Sequence, residues 1–277
     1  LSHRRTAWLS AALLLSSLLA IGCGPSPPKP VNVTESFDGN SYDHAQWQLA
    51  TPNEAVGKVE VADAALLITA PPADKARPQI GNHGKFSING DFEISMDFEL
   101  LTPLPDATQD YINLELIVTG TDGIAHLSRA NHKGSGNGVV AYFKPSSESG
   151  KSVWKHSPTT EKSGTLKLVR QQDQLTFLFQ TADGSHQESV ATASFGLGPI
   201  HKVSVALSVS SPTKETLKVR VDNLRVKSGS EDGSWHVSAI VWLMPGVFLI
   251  LGGVAFWLWK TGKLSQPPSA TAEDETT

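Results

Sequence analysis

The stretch Gly90–Leu101 constrains the fold more than any other part of the chain. Phe92, Ile94, Met96, Phe98 and Leu100 fall on one side of an extended backbone and Glu93, Ser95, Asp97 and Glu99 on the other, because side chains alternate faces along a β-strand. Such a segment is a half-buried strand of a large sheet, with its apolar face in the core and its acidic face outward.

Similar runs recur along the chain, at Glu35–Phe37, Trp47–Leu49, Lys58–Val61, Leu66–Thr69, Ile112–Thr119, Ile124–Ala130, Val139–Phe143, Val153–His156, Thr165–Gln171, Leu175–Gln180, Glu188–Ser194, Val203–Val209 and Leu217–Val226. Asp122-Gly123, Asp173 and Asp183-Gly184 stand between such runs where hairpins need turns. No stretch of this region has a 3.6-residue apolar period. Residues 35–227 are therefore predicted to form one all-β domain of two stacked antiparallel sheets. Net charge is −4 and no basic stripe crosses the domain, which argues against a nucleic-acid partner. The single cysteine, Cys23, excludes an intramolecular disulfide and a cysteine zinc cluster.

The ends read differently. Residues 1–23 form an export-type signal: Arg4 and Arg5, the apolar run Ala7–Ile21, then Gly22-Cys23. Leu19-Ala20-Ile21-Gly22-Cys23 resembles a bacterial lipoprotein signal, which implies lipidation of Cys23; an ordinary signal or uncleaved anchor is the alternative. Residues 24–34 are a Pro-rich spacer. After a short linker, 228–236, the uncharged run Val237–Trp259 is long enough for a transmembrane helix. Lys260 and Lys263 follow it while Glu231 and Asp232 precede it, so the expected topology is a single pass through a bacterial cell membrane, with the β domain outside. Residues 260–277 would be a disordered cytoplasmic tail.

The opening Glu35–Trp47, the strand Gly90–Glu99, the hairpin Leu166–Phe179 and the closing Val219–Val226 resemble the concanavalin A-like lectin/glucanase group, especially laminin-G-like domains of bacterial surface proteins. The resemblance implies a jelly roll with first and last strands side by side. It would bring Asp38 near Asp222 and Asn223, whose oxygens suit a structural calcium; satisfying backbone groups at a strand junction is the plainer alternative. No other cofactor is expected.

The group includes enzymes that cleave β-glucans with two glutamates and an aspartate on one strand. Asp97-x-Glu99 matches part of that motif, but Ser95 stands where the nucleophilic glutamate belongs. Glu93 lies roughly 13 Å from Asp97 along the strand, too far for a carboxylate pair, whereas Asp97 and Glu99 are about 7 Å apart. Asp97 and Glu99 are thus weak catalytic candidates, and the expected function is a non-enzymatic, membrane-anchored domain that binds carbohydrate or another envelope component. Its ligand surface would comprise Glu93, Asp97 and Glu99, with Asn113 and Glu115 on a neighbouring strand and Tyr142 and Trp154 (with Tyr111) as aromatic platforms. The alternatives are a glycoside hydrolase or lyase with an atypical carboxylate pair on the central sheet, or a structural module that contacts envelope proteins. His126, His132 and His156 fit no common zinc spacing and read as surface histidines; Trp47 reads as core.

Overall fold

The computed structural model describes residues 30–39, 41–49, 57–83 and 85–229. The expected signal with Cys23, most of the Pro-rich spacer, the expected membrane span and the tail lie outside the described residues. Among those described, no helix is long and apolar enough to cross a membrane.

The chain forms two antiparallel sheets of a jelly-roll sandwich. One contains β1 (Asn32–Glu35), β3 (Lys58–Ala62), β4 (Ala65–Ala70), β6 (Phe92–Leu100), β11 (Ser163–Gln171), β12 (Gln174–Thr181), β13 (Gln187–Ser194) and β15 (Leu217–Ser228). Its order is β13-β12-β11-β6-β15-β4-β3, with β1 also paired to β15. The other contains β2 (Gln48–Leu49), β5 (Gln79–Gly81), β7 (Tyr111–Gly120), β8 (Gly123–His132), β9 (Gly136–Pro145), β10 (Val153–Pro158) and β14 (Ile200–Val209), in the order β10-β9-β8-β7-β14-β5-β2.

Alternation decides what fills the space between the sheets. From β6 come Phe92, Ile94, Met96, Phe98 and Leu100; from β7, Ile112, Leu114, Leu116 and Val118; from β14, Val203, Val205, Leu207 and Val209. Burying a large apolar side chain contributes about 1.5–3 kcal/mol, so this interior dominates the stability. Trp47 is part of the core, edge-on to Phe86. Arg170 is fully buried, donates to the carbonyls of Gly90 and Gly198, and lies over the Phe92 ring. It ties the approach to β6 in one sheet to the approach to β14 in the other.

The first strand departs from expectation. It spans Asn32–Glu35 rather than Glu35–Phe37, and pairs with β15 through Asn32↔Lys227 to Glu35↔Leu224. The Glu35 carboxylate accepts the backbone N–H groups of Phe37 and Asp43. The chain turns there, with Phe37 left-handed at φ 55° and buried in the core. The short strand β5 has no alternating signature and was not expected.

Candidate functional site

The outward face of the seven-stranded sheet is unusually buried and polar. The same alternation that sends leucines and valines inward places Asn113 and Glu115 (β7), His126 and Ser128 (β8), Val140 and Tyr142 (β9), Trp154 (β10), and Ser204, Ala206 and Ser208 (β14) on this side. In register, Glu115 lies opposite Ser128 and Ala206, and His126 opposite Tyr142, which in turn faces Trp154. Ser128 and Val140 keep the floor low, while Tyr111, Tyr142 and Trp154 rise beside it. The result is a cleft of about 340 Å³ lined by these aromatics with Arg77, Asn113, Glu115, His126, Ser128 and His132.

Glu115 sits at its base, only 3% exposed. Its Oε2 is 3.3 Å from His126 Nδ1 and 3.2 Å from an Arg77 nitrogen, and its Oε1 accepts from Asn113 Nδ2 at 3.3 Å. Burial pushes the carboxyl pKa up, but the His126 hydrogen bond and charge, then Arg77 and Asn113, outweigh it and hold Glu115 below the usual carboxylate value. A buried carboxylate thus stays ionised with three partners. Donation from Nδ1 to Glu115 fixes the His126 tautomer and leaves Nε2 as the accepting nitrogen. This is how a carboxylate orients a histidine for proton transfer.

Arg77 reaches Glu115 because its backbone is pinned. Ala76 exchanges backbone hydrogen bonds with Val209, and the Pro78 carbonyl accepts from Leu207. Arg77, between them, runs along β14, and Ala206 opposite Glu115 is small enough to be crossed. Two further hollows adjoin: one of about 300 Å³ lined by Lys75, Arg77, Tyr111 and Ser208 among others, and one of about 260 Å³ that includes Arg77, His126, Lys202 and Ser204. Asn113 Oδ1, Ser204 Oγ, Ser208 Oγ and His132 Nε2 are buried here without a hydrogen-bond partner. Such atoms have no partner within the protein and can bond water or a ligand. His132 packs between the rings of Tyr111 and Trp154, and Trp154 also stacks on His156. Gly138 makes room for that imidazole, since a Cβ there would collide with it. Burial, then the neighbouring charge of His156, lowers the His132 pKa despite an opposing pull from Glu115.

The structure divides the residues expected to share one surface. Glu93, Asp97 and Glu99 lie on the eight-stranded sheet, while Asn113, Glu115, Tyr142 and Trp154 lie on the other. β6 and β7 are consecutive in sequence, but the connection between them crosses from sheet to sheet, so the two acidic sets occupy opposite outer faces. Glu93 pairs with Lys167 at 3.2 Å. Asp97 accepts from Thr165 at 2.6 Å and from Asn223 at 2.9 Å, and both its oxygens are committed. Asp97, Glu99, Ser163, Arg220 and Asp222 border a hollow of about 350 Å³ that is more open than the cleft.

Of the expected calcium ligands Asp38, Asp222 and Asn223, the last two are engaged in hydrogen bonds of their own. Asn223 turns its amide nitrogen, a donor, to Asp97, and Asp222 accepts the backbone N–H of Asn223 at an irregularity of β15 where Asn223 has φ 48°. Among the described residues no group of three or more His, Cys, Asp or Glu side chains is placed to hold a metal ion. Arg77, His126, His132, Ser204 and Ser208 were not expected at a site. The alternation of β8, with Ala125 and Leu127 inward, marks His126 as outward, but nothing local to it reveals Glu115 as its partner.

No curated protein sequence matches the chain. Solved structures do. One, from work on endo-acting O-glycanases of prominent human gut microbiota members that initiate mucin breakdown, shares 14% identity at a TM-score of 0.53, covering 72% of this chain and 99% of its own. The laminarinase catalytic domain from Thermotoga maritima MSB8 shares 16% at 0.51, covering 74% and 100%. The GH43 protein BlXynB from Bacillus licheniformis shares 11% at 0.53, covering 74% and 41%. At these identities the likeness is one of fold, the concanavalin A-like jelly roll. Those neighbours are described as O-glycanases and a laminarinase, enzymes acting on carbohydrate, which runs against the expectation of a non-enzymatic binding domain. The model of the family described as "Protein of unknown function (DUF1583) C domain" matches residues 34–234, well over half of the chain, and the protein belongs to that family.

Proposed function

We propose that this protein is a carbohydrate-active enzyme, a glycoside hydrolase or lyase, that cleaves a polysaccharide in the cleft over the seven-stranded sheet. The observation that carries this reading is buried Glu115 paired with half-buried His126 at the base of a cleft walled by Tyr111, Tyr142 and Trp154. The pair supplies an oriented proton-transfer group. The aromatic rings suit the C–H faces of sugars, and the unpartnered Asn113 and serine oxygens suit their hydroxyls. The uncharged run Val237–Trp259 and the export-type N-terminus support a membrane-anchored enzyme whose β domain faces away from the cytoplasm; protease digestion of intact cells, with loss of the domain expected, checks that placement.

The activity test is release of new reducing ends by the full chain from laminarin, lichenan, xylan, polygalacturonate, alginate and chondroitin sulfate. At least one polymer is expected to be cut, with Glu115→Gln and His126→Ala each slowing the reaction by about 10²–10⁴-fold. Release that persists unchanged in both variants, or no release from any polymer, overturns the proposal.

A further inference from the structure

Resting on that reading of the cleft, we propose that its substrate is an acidic, uronate-containing polysaccharide and that the bond breaks by β-elimination rather than hydrolysis.

Carboxylates are scarce here. Among the described residues lining the three hollows that meet at Arg77, Glu115 is the single carboxylate. Hydrolysis by paired carboxyl groups needs two, about 5–9.5 Å apart across the scissile bond. Glu115 is also committed to Arg77, His126 and Asn113. Glu93, Asp97 and Glu99 of the other sheet lie on the far side of the sandwich, and Glu188 at its β13 edge is taken up by the Ser157 hydroxyl.

Cations, by contrast, outnumber that single carboxylate: one lines the cleft and two border the adjoining hollows. Arg77 borders all three hollows with its side chain 52% exposed, Lys75 borders one and Lys202 another. With one buried carboxylate against these three, the groove favours an anionic polymer. The planar guanidinium of Arg77 suits a sugar carboxylate in particular.

The same groups meet the needs of elimination. When a cation neutralises the C6 carboxylate of a uronate, the adjoining C5–H becomes acidic. His126 Nε2 takes that proton, and the C5–H electron pair becomes the C4=C5 double bond. The C4–O bond breaks, its electron pair stays on the departing glycosidic oxygen, and the Tyr142 hydroxyl protonates that oxygen. Tyr142 stands opposite His126 in register, with the rings edge to face at 5.6 Å. The proton on His126 then returns to the tyrosinate through solvent. No water is consumed and no further reactant is needed.

The test offers the full chain polygalacturonate, alginate, β-1,4-glucuronan and chondroitin sulfate beside neutral laminarin, lichenan and xylan. Two signals are followed together: reducing ends, and the ultraviolet absorbance of the conjugated unsaturated uronate. The expected result is equal growth of both signals on at least one acidic polymer, none on the neutral ones, and none after chemical reduction of the acidic polymer's carboxyl groups to alcohols. Arg77→Gln, with its fold checked by circular dichroism, is expected to lower kcat/KM on that polymer about 10²-fold or more, and Arg77→Lys to recover part of the loss. Reducing ends without the chromophore would overturn elimination and leave the polysaccharide-cleaving reading standing. Cleavage confined to neutral polymers would overturn the substrate class. No cleavage of any polymer would overturn both readings.

Discussion

Two titrating groups in the cleft respond to acid in different windows. Folding lowers the His132 pKa below its ordinary 6.5, so the unfolded chain takes up this proton first as pH falls. Stability therefore drops from about pH 6.5 down to the lower native value. Folding also holds Glu115 below its ordinary 4.5. The stability this carboxylate contributes is present above 4.5 and lost as pH falls through the native value. The urea midpoint followed against pH should thus decline in two limbs. His132→Asn is expected to make the upper limb shallower, with His83 supplying the rest. Glu115→Gln is expected to make the lower limb shallower, with Asp183 supplying the rest, while loss of the Glu115 charge also lowers the His132 pKa further and steepens the upper limb. An unchanged upper limb in His132→Asn would mean that the imidazole protonates as easily in the folded protein as in the unfolded one.

β14 shows how one element serves both core and site. Its inward Val203, Val205, Leu207 and Val209 are core, and its outward Ser204 and Ser208 bury hydroxyls without partners. Removing an unsatisfied buried hydroxyl relieves its desolvation cost. Ser204→Ala and Ser208→Ala are therefore expected to leave stability unchanged or raise it by up to about 1 kcal/mol each, while KM for the cleaved polymer rises. A loss of stability beyond about 1 kcal/mol would show that the hydroxyl is already bonded inside the protein. The alternation that defines β14 was legible in the sequence, as were β6 to β12, because period-two burial is written locally. Which sheet each strand joins was not. The Leu101–Asp110 connection decides whether Glu115 shares a surface with Asp97, and neither strand's pattern records that choice. For the same reason Asn113, Glu115, Tyr142 and Trp154 were picked out as residues but grouped with the wrong carboxylates. Arg77 was missed because β5 is three residues long and the backbone pairing that aims Arg77 runs to a strand far along the chain.

At the scale of the whole sandwich, the two outer faces differ in how their polar groups are used. On the eight-stranded sheet, Asp97 is satisfied by Thr165 and Asn223, and Glu93 by Lys167. On the seven-stranded sheet, Asn113, Ser204, Ser208 and His132 leave atoms without partners around an ionised, buried Glu115. Satisfied polar groups hold a fold together, and unsatisfied ones next to a cleft spend stability on function. The two carboxylates should then respond in opposite ways. Asp97→Asn replaces an acceptor with an amide that cannot accept from both Thr165 and Asn223 through two oxygens. It is expected to cost about 1.5–3 kcal/mol of stability and to leave polysaccharide cleavage near the parent rate at temperatures where the variant is folded. Glu115→Gln keeps the shape of the cleft but removes the charge that orients His126, so cleavage is expected to collapse while the variant remains folded at the assay temperature. Paired melting curves and rate measurements on the two variants decide the matter. If Asp97→Asn abolishes cleavage while folded and Glu115→Gln does not, catalysis belongs to the eight-stranded face, and the unpartnered atoms of the opposite cleft have some other use.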